Sequence, residues 1–304
     1  MDKIQLGSSD LRVSPISLGC MSLGTDLTKA SNIIDEALDL GINYLDTADL
    51  YDSGQNEEII GQTIKNKRDQ FILATKVGNH LKYDGSWFWD PRKAYIKEQV
   101  KESLRRLQVD YIDLYQLHGG TIEDPIEQTI EAFDELVSEG TIRYYGISSI
   151  RPNVIREYVM KSKIVSVMMQ YSILDRRPEE EMLDLLHQNH ISVVTRGSLA
   201  KGILSKKGVE IAKQKGQKGY LDYQPDHLIE VVNKLNEILN KGQTLTGLAL
   251  QYVAQNDAVS SIVSGASSMD QIKENVNALE QNFDQKQFDQ VKEITRANTY
   301  QQHR

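Results

Sequence analysis

The chain has 304 residues, enough for two average domains or one large α/β barrel. Apolar residues make up 39% of it and the mean hydropathy is −0.45, values that are ordinary for a soluble globular protein. The formal net charge of −8 disfavours nucleic acid as a partner, because a phosphate backbone selects basic surfaces. The single cysteine, Cys20, excludes a disulfide within the chain and fits a reducing compartment.

The sequence shows no targeting or membrane-spanning segment. Its start, MDKIQLGSSD, lacks the apolar core of a secretory signal, and no apolar stretch approaches the ~18–20 residues that cross a bilayer. We therefore expect a cytoplasmic protein with no membrane partner. No linker or shift in composition divides the chain, so residues 1–304 are predicted to form one domain. The oligomeric state stays open, a homo-oligomer included.

The first predicted element is a hairpin over residues 3–13, placed to plug the fold. Apolar runs then alternate with helical patterns, with glycines typical of helix ends at Gly41 and Gly140 and proline-led helix starts at Asp124-Pro125 and Arg177-Pro178. The predicted strand–helix units are 15–19 with 28–40, 42–46 with 55–66, 71–76 with 92–107, 111–117 with 125–139, 141–147 with 152–162, 165–169 with 178–189, 191–195 with 243–256, and 261–263 with 269–281.

Eight alternating units predict a (β/α)₈ TIM barrel with an N-terminal β-hairpin and extra C-terminal helices. A doubly wound sheet is the alternative, but no G-x-G-x-x-G follows the first predicted strand. Two stretches interrupt the alternation and are predicted to be long loops, 78–91 and 201–225. Loops of this length in a compact domain are usually lids or ligand contacts.

Three apolar runs lead to titratable residues: Asp46 and Lys76 end two predicted strands, and His118 directly follows a third. Tyr51 follows Asp46 by five residues. The carboxyl ends of barrel strands form the active face, so these groups are expected to share one site. An ammonium beside a phenol lowers the pKa of the phenol, and a histidine there can bind a substrate oxygen. The alternative is a structural Asp46–Lys76 ion pair with Tyr51 and His118 as ordinary pocket residues.

A second cluster lies after the last predicted strand, at residues 264–268 and Gln271. Small residues that lead into a helix offer free N–H groups to a phosphate. The alternative is a helix simply capped by Ser268. No metal site is expected, because the six histidines lack ligand spacing and there is no second cysteine.

Residues 41–51 (GINYLDTADLY), Lys76 in ILATK and His118 in DYIDLYQLH resemble the aldo-keto reductase superfamily. The likeness runs the length of the chain and is closest to the bacterial reductases related to potassium-channel β subunits, which share the SGASSMDQIKEN pattern. The resemblance implies a (β/α)₈ barrel that reduces a carbonyl with NADPH. Tyr51 would protonate the oxygen, Lys76 and Asp46 would tune Tyr51, and His118 would orient the carbonyl.

The resemblance also implies a set of cofactor contacts. Ser148, Ser149 and Gln170 would contact the nicotinamide amide. Cys20 and Met21 would lie where the end of the first strand meets the cofactor, and Asp46 also belongs to the implied cofactor-binding residues. Along the nicotinamide and pyrophosphate they are Arg196, Gly197, Ser198, Leu199, Lys201 and Lys207. At the adenosine end they are Gly265, Ser267 and Gln271 for the 2′-phosphate, and Glu274 and Asn275 for adenine.

The chain departs from the common family pattern at four positions. Ser149 stands where many relatives have Asn or Arg, and Gly265 and Gln271 replace the Lys and Arg that some relatives use for the 2′-phosphate. NADPH remains the expected cofactor, with NAD less favoured. Arg196 stands where an aromatic residue usually stacks on the nicotinamide; we hypothesise that its cation weakens NADP⁺ binding relative to NADPH. The alternative is that Arg196 points to solvent or pairs with an acid.

The function expected from the sequence is reduction of a small carbonyl substrate. A redox sensor or regulatory subunit that binds the cofactor with little turnover is the alternative from another class, and a barrel isomerase acting on a phosphate substrate is a third. Substrate identity is not readable. The segment 87–89 (WFW), Tyr83 and the C-terminal segment are the expected pocket walls.

Overall fold

The computed structural model of the chain describes residues 1–82 and 84–304, and the side chains of all of these except Lys215. The strands are β1 (Ile4–Gln5), β2 (Arg12–Val13), β3 (Ile16–Gly19), β4 (Tyr44–Asp46), β5 (Ile72–Val77), β6 (Asn79–Leu81), β7 (Trp87–Trp89), β8 (Ile112–Leu117), β9 (Ile142–Ser148), β10 (Ser166–Gln170), β11 (Ser192–Arg196) and β12 (Val259–Gly265). The helices are α1 (Leu27–Asp39), α2 (Gln55–Ile64), α3 (Lys93–Leu107), α4 (Ile126–Ser138), α5 (Pro152–Lys161), α6 (Met182–Gln188), α7 (Gly208–Lys215), α8 (Pro225–Glu237), α9 (Leu245–Ala254), α10 (Met269–Leu279) and α11 (Gln285–Ile294).

Eight parallel strands close into a barrel. In chain order they are β3, β4, β5, β8, β9, β10, β11 and β12, and pairing of β12 with β3 completes the ring. Each corresponds to one of the eight predicted strands, so the (β/α)₈ barrel is confirmed and the doubly wound sheet is excluded. The larger apolar core lies between the outside of the barrel and the helices.

Alternation along the strands decides what faces the inside of the barrel, since successive side chains point to opposite faces. On β5, Ile72 and Ala74 belong to the inner apolar cluster, and Lys76 follows on the same face. On β8, Leu114 belongs to that cluster and Gln116 follows it. The barrel interior is therefore apolar at its lower levels and polar at the carboxyl ends of the strands.

The N-terminal hairpin closes the lower end, as predicted. β1 and β2 pair antiparallel, and Leu6, Leu11 and Val13 join the inner apolar cluster. Ser9 Oγ donates to the Leu6 carbonyl at 2.6 Å, which fixes the turn between the two strands. The hairpin thereby buries the apolar ends of the barrel strands that would otherwise meet water.

Both long insertions contain regular structure that the sequence analysis did not predict. Residues 78–91 include the hairpin β6–β7, in which His80 is opposite Phe88 and the two rings stack at 4.6 Å. Beyond residue 200 lie α7 and α8, and α8 was missed altogether although its buried residues Leu228, Val231, Val232 and Leu235 have helical spacing. The predicted loop over 201–225 was therefore wrong for 208–215.

Helix ends mostly agree with the residues that were predicted to define them. Gly41 and Gly140 follow α1 and α4 with φ of +88° and +73°, and α11 lies beyond the eighth barrel unit as an extra C-terminal helix. Arg177-Pro178 does not start a helix directly; Arg177–Glu180 is a 3₁₀ turn and α6 begins at Met182. In the described part of the chain no helix has the length and apolar character needed to span a membrane.

Gly61 lies inside α2 where α3 crosses it, and a Cβ at this position would come within 2.5 Å of the Leu107 carbonyl carbon. Alanine in a helix interior normally stabilises by about 1 kcal/mol relative to glycine. We expect Gly61→Ala to do the opposite, lowering the free energy of unfolding by about 1–3 kcal/mol because the helices must separate. Urea unfolding followed by circular dichroism measures this. The exposed neighbour gives a control, Gln62→Ala, which should change stability by less than about 0.5 kcal/mol.

Candidate active site

Four side chains predicted to share a site come together at the carboxyl end of the barrel. Asp46 ends β4, Lys76 is the fifth residue of β5, and His118 directly follows β8. Tyr51 begins a 3₁₀ turn after β4, and its ring lies edge-on to the imidazole of His118 with centroids 6.0 Å apart. All four belong to the polar layer above the inner apolar cluster.

Lys76 is the centre of this group, and its side chain is 1% exposed. Its ammonium donates to Asp46 Oδ2 at 2.7 Å, to the Thr47 carbonyl at 2.7 Å and to the Tyr51 hydroxyl at 3.4 Å. An ammonium has three N–H groups, so all of them are used. Burial by itself lowers the pKa of Lys76, but the carboxylate of Asp46 and the hydroxyl of Tyr51 together raise that pKa above the ordinary lysine value. Lys76 therefore stays a cation.

The pKa of Tyr51 moves in the direction opposite to the one expected from the sequence. Burial has the largest effect and raises the pKa of Tyr51, while the ammonium of Lys76 opposes it without reversing it. The cation is visible in the sequence, but the depth at which the phenol lies in the barrel mouth is not. Tyr51 is consequently held in its protonated form, which can donate a proton.

His118 is neutral at physiological pH. Burial and the nearby cations of Lys76 and Arg196 lower the pKa of His118 to about 3. Its Nδ1 is buried without a hydrogen-bond partner among the described residues. An unpaired lone pair is cheaper to bury than an unpaired N–H, which favours the tautomer with the proton on Nε2. His118 then has one N–H to offer to an acceptor.

The backbone after Tyr51 is left-handed for three residues in succession. Asp52, Ser53 and Gly54 have φ of +47°, +55° and +92°. Side chains with a Cβ rarely adopt this conformation, and each such residue costs of order 1–3 kcal/mol. The turn joins Tyr51 to α2, so the position of the phenol depends on a backbone that is strained.

A buried polar cluster lies behind the site and was missed from the sequence. Glu57 accepts from Thr75 Oγ1 at 2.6 Å and from Arg106 Nε at 2.7 Å. The carboxyl oxygens of Asp49 are buried with no partner among the described atoms, and burial raises the pKa of Asp49 well above its ordinary value. The spacing of Asp49 and Glu57 carries no motif, so only the packing of α2 against β5 could reveal them.

Gln116 was also missed, although a signal was present. Its Nε2 donates to Asp46 Oδ1 at 3.5 Å, so Asp46 is contacted by both Gln116 and Lys76. Gln116 lies two residues before His118, and the period of two along β8 places both on the inner face. The same rule applied to the sequence would have found it.

The opposite side of the mouth carries several predicted cofactor residues at strand ends. Ser148 ends β9, Gln170 ends β10 and Arg196 ends β11, with Gln170 and Arg196 opposite each other in the strand pairing. Ser149 follows Ser148, and its Oγ accepts from the Arg151 N–H at 3.2 Å. The strand ends therefore bring hydroxyl, amide and guanidinium groups to one side of the opening.

Arg196 is exposed and hydrogen-bonded to an amide. Its Nη1 donates to Gln170 Oε1 at 3.2 Å, and Gln170 Nε2 donates to the Tyr220 hydroxyl at 3.3 Å. No carboxylate within the described part of the chain pairs with Arg196. The alternative of an ion pair with an acid is thus not realised. Tyr220 was missed because it lies in the long insertion after β11.

The predicted cofactor residues in the segment after β11 differ in their burial and in what they contact. Gly197 has φ of +71°, and a Cβ there would lie 3.2 Å from Gln170 Cγ. Ser198 is buried and its Oγ donates to the Tyr171 carbonyl at 3.0 Å, so its side chain supports the loop. Leu199 is half-buried, Lys201 is exposed with φ of +58°, and Lys207 is the N-cap residue of α7.

The predicted adenosine end of the site lies at the start of α10. Ser268 caps this helix, accepting from the Gln271 N–H at 3.3 Å. Gln271 Oε1 accepts from the N–H of Ser267 at 2.7 Å and from its hydroxyl at 3.1 Å. Asn275 is buried and donates to Ser264 Oγ at 2.8 Å, so its amide supports β12, whereas Glu274 is exposed.

The first strand end and the insertion after β5 complete the mouth. Cys20 is buried, and its Sγ donates to the Leu18 carbonyl at 3.5 Å. Gly265 at the end of β12 lies against Ser22, which belongs to the same short turn after β3 as Cys20. Met21 is 64% exposed. Of the expected pocket walls, residues 87–88 are exposed, Tyr83 lies outside the described residues, and Tyr300 of the C-terminal segment is buried against Arg177.

Comparison with known proteins identifies the family. The model of the Aldo/keto reductase family matches residues 15–296. The chain is 54% identical to Uncharacterized oxidoreductase YqkF of Bacillus subtilis (strain 168), with full coverage of both chains. It is 32% identical to the NADH-specific methylglyoxal reductase of Escherichia coli (strain K12), covering 98% of this chain and 99% of that protein.

Among solved structures, the holo form of aldo-keto reductase AKR11C1 from Bacillus halodurans superposes with a TM-score of 0.93 at 55% identity, covering 100% of this chain and 99% of that one. The family match, the relatives and the barrel with its strand-end residues agree with one another. The chain therefore belongs to the aldo/keto reductase family of oxidoreductases.

Proposed function

We propose that the protein reduces aldehydes or ketones to alcohols with NADPH, and that Tyr51 is the proton donor. The observation that carries this proposal is the contact of the Tyr51 hydroxyl with the buried Lys76 ammonium at 3.4 Å, with the neutral ring of His118 beside it. A phenol, an ammonium and an imidazole at one barrel mouth form a protonated donor next to an oxygen-binding position. Family membership supports a reaction of this class.

The residues across the mouth suit a nicotinamide cofactor by their chemistry. Gln170 and Ser148 present amide and hydroxyl groups of the kind that pair with a carboxamide. Glycine at position 197 leaves the backbone open beside Gln170. When bound there, the reduced nicotinamide would supply the hydride for the carbonyl carbon. Arg196 would lie beside the ring, and the capped start of α10 would hold the adenosine phosphate.

The chain's own residues divide the remaining work. The N–H of neutral His118 binds and polarises the carbonyl oxygen. Tyr51 donates its proton to that oxygen as negative charge develops on it. Lys76 holds the Tyr51 oxygen by a hydrogen bond and stabilises the phenolate that remains, and Asp46 keeps Lys76 in place.

Replacing the proton donor tests the mechanism. We expect Tyr51→Phe to lower kcat/KM for methylglyoxal or 4-nitrobenzaldehyde by roughly 10²–10⁴-fold, because the ring is kept and only the donated proton is lost. NADPH binding should stay within about twofold. The decrease of NADPH absorbance gives turnover, and fluorescence titration gives affinity.

Tyr144→Phe is the matched control. This phenol lies near the closed end of the barrel, where it accepts from the Asp10 N–H at 3.4 Å, so its loss should leave turnover unchanged. Full activity in Tyr51→Phe would refute the mechanism. Tight NADPH binding by the wild type without turnover across a panel of aldehydes would refute reduction and support a redox sensor or regulatory subunit instead.

Arg196 gives a test of the cation beside the nicotinamide. Oxidation makes that ring positive, so a guanidinium held there by Gln170 should weaken NADP⁺ binding relative to NADPH. We expect the ratio of the Kd for NADP⁺ to the Kd for NADPH to fall by roughly three- to tenfold in Arg196→Tyr. Calorimetric titration of both forms measures the ratio, and an equal ratio in the two proteins would contradict the hypothesis.

Cofactor preference is proposed to depend on Gln271. An uncharged amide occupies the Ser267 N–H, and one relative is named as NADH-specific, so the preference for NADPH over NADH should be modest. We expect Gln271→Arg to raise the ratio of kcat/KM for NADPH to that for NADH by roughly tenfold, since the new charge meets the 2′-phosphate.

Gln285→Arg is the control for that substitution. Gln285 is likewise an exposed glutamine in the first turn of a helix, α11, and the substitution adds the same charge outside the proposed cofactor site. Its cofactor preference should match the wild type. If Gln271→Arg changes the preference no more than this control does, Gln271 does not face the 2′-phosphate.

A further inference from the structure

Trp89 lies against two glycines that belong to different loops of the barrel mouth. A Cβ on Gly78 would lie 2.5 Å from Trp89 Cζ3, and a Cβ on Gly119 would lie 3.2 Å from the same atom. Gly78 follows β5 two residues after Lys76, and Gly119 directly follows His118. The indole therefore fills space that exists only because both positions lack a side chain.

The indole is held in place by a carboxylate. Trp89 Nε1 donates to Asp124 at 2.9 Å and 3.0 Å, one distance to each oxygen. Asp124 also accepts from the N–H of Thr121 at 2.7 Å and from its hydroxyl at 2.9 Å. Trp89 thus joins the β6–β7 hairpin to the loop that runs from His118 to α4.

Hydrogen bonds from the described residues do little to hold the side chain of His118, although the Tyr51 ring lies edge-on to it. Its Nδ1 is buried without a partner among the described residues. Gly119 and Gly120 follow it with φ of +147° and +124°, and glycine restricts the backbone least of all residues. The backbone N–H of His118 donates to the Val77 carbonyl at 2.7 Å, which fixes the backbone of His118 but not its ring.

We propose that Trp89, gripped by Asp124, is the positioning residue that fixes the imidazole of His118 for the reaction. The indole contacts Gly78 after β5 and Gly119 after β8, and so it makes the ends of these two strands one rigid unit. Its effect on rate rests on the proposed function of His118, whereas its effect on the mobility of His118 does not.

Kinetics test the effect on rate. We expect Trp89→Phe to lower kcat/KM for 4-nitrobenzaldehyde roughly 10–100-fold with the Kd for NADPH unchanged, because small displacements of an orienting group have effects of this size. In a His118→Gln background the same substitution should lower kcat/KM by less than about threefold, because the residue through which it acts is gone. Fully additive losses would overturn the proposal.

Magnetic resonance tests the effect on mobility without any turnover. The ring ¹³C–¹H signals of His118, assigned by their loss in His118→Gln, should broaden in Trp89→Phe. Asp124→Asn keeps the indole but removes one acceptor oxygen, and it should broaden them to a smaller degree. Trp87→Phe is the control, since that indole is 53% exposed, and it should leave the signals sharp.

The outcomes separate the two proposals. Sharp His118 signals in folded Trp89→Phe and Asp124→Asn would overturn the role of Trp89, whatever the activity. If the His118 signals broaden in Trp89→Phe but stay sharp in a wild type that reduces no aldehyde, the role of Trp89 is supported and the reductase is refuted. If Trp89→Phe does not fold, Asp124→Asn decides by itself.

Discussion

The ammonium of Lys76 is the constraint on which the rest of the site depends. It is buried in a barrel mouth with all three N–H groups used, and its charge is stabilised above all by Asp46, which lies on the neighbouring strand at 2.7 Å. Removing one partner of a buried pair leaves an uncompensated charge, which costs more than the pair contributes. Asp46 and Lys76 lie on neighbouring parallel strands, so the pairing of these strands sets the distance between them. The charge of the site therefore depends on the geometry of the barrel.

That cation also governs its neighbours. With burial and Arg196 it keeps His118 neutral, so the imidazole has one N–H available for an acceptor. The cation also lowers the pKa of Tyr51, but burial has the larger effect in the opposite direction, so Tyr51 stays protonated. The apolar layer of Ile72, Ala74 and Leu114 below stabilises the barrel, and the polar layer above it sets protonation states. The same strands thus contribute to stability at their lower levels and to the polar site at their carboxyl ends.

The sequence predicted most of what depends on local pattern. Eight strands were visible as apolar runs, and the ends of three of them identified Asp46, Lys76 and His118. What depends on depth or on distant contacts was not visible. The direction of the pKa shift of Tyr51 required its burial, Asp49 and Glu57 required the packing of α2, and the place of Trp89 required the two glycines that it covers. Helix α8 had a legible pattern and was missed because a long loop was expected there.

The left-handed turn after Tyr51 has a consequence for how this protein can be improved. Asp52 and Ser53 hold a conformation that would suit glycine better, so the folded chain carries strain directly after Tyr51, the proposed proton donor. Substitutions that relax this turn would raise the free energy of unfolding but leave the position of the Tyr51 phenol less fixed. Selection for thermal stability alone would then favour variants with lower activity. Asp52 and Ser53 would thus be positions where stability and activity trade off against each other.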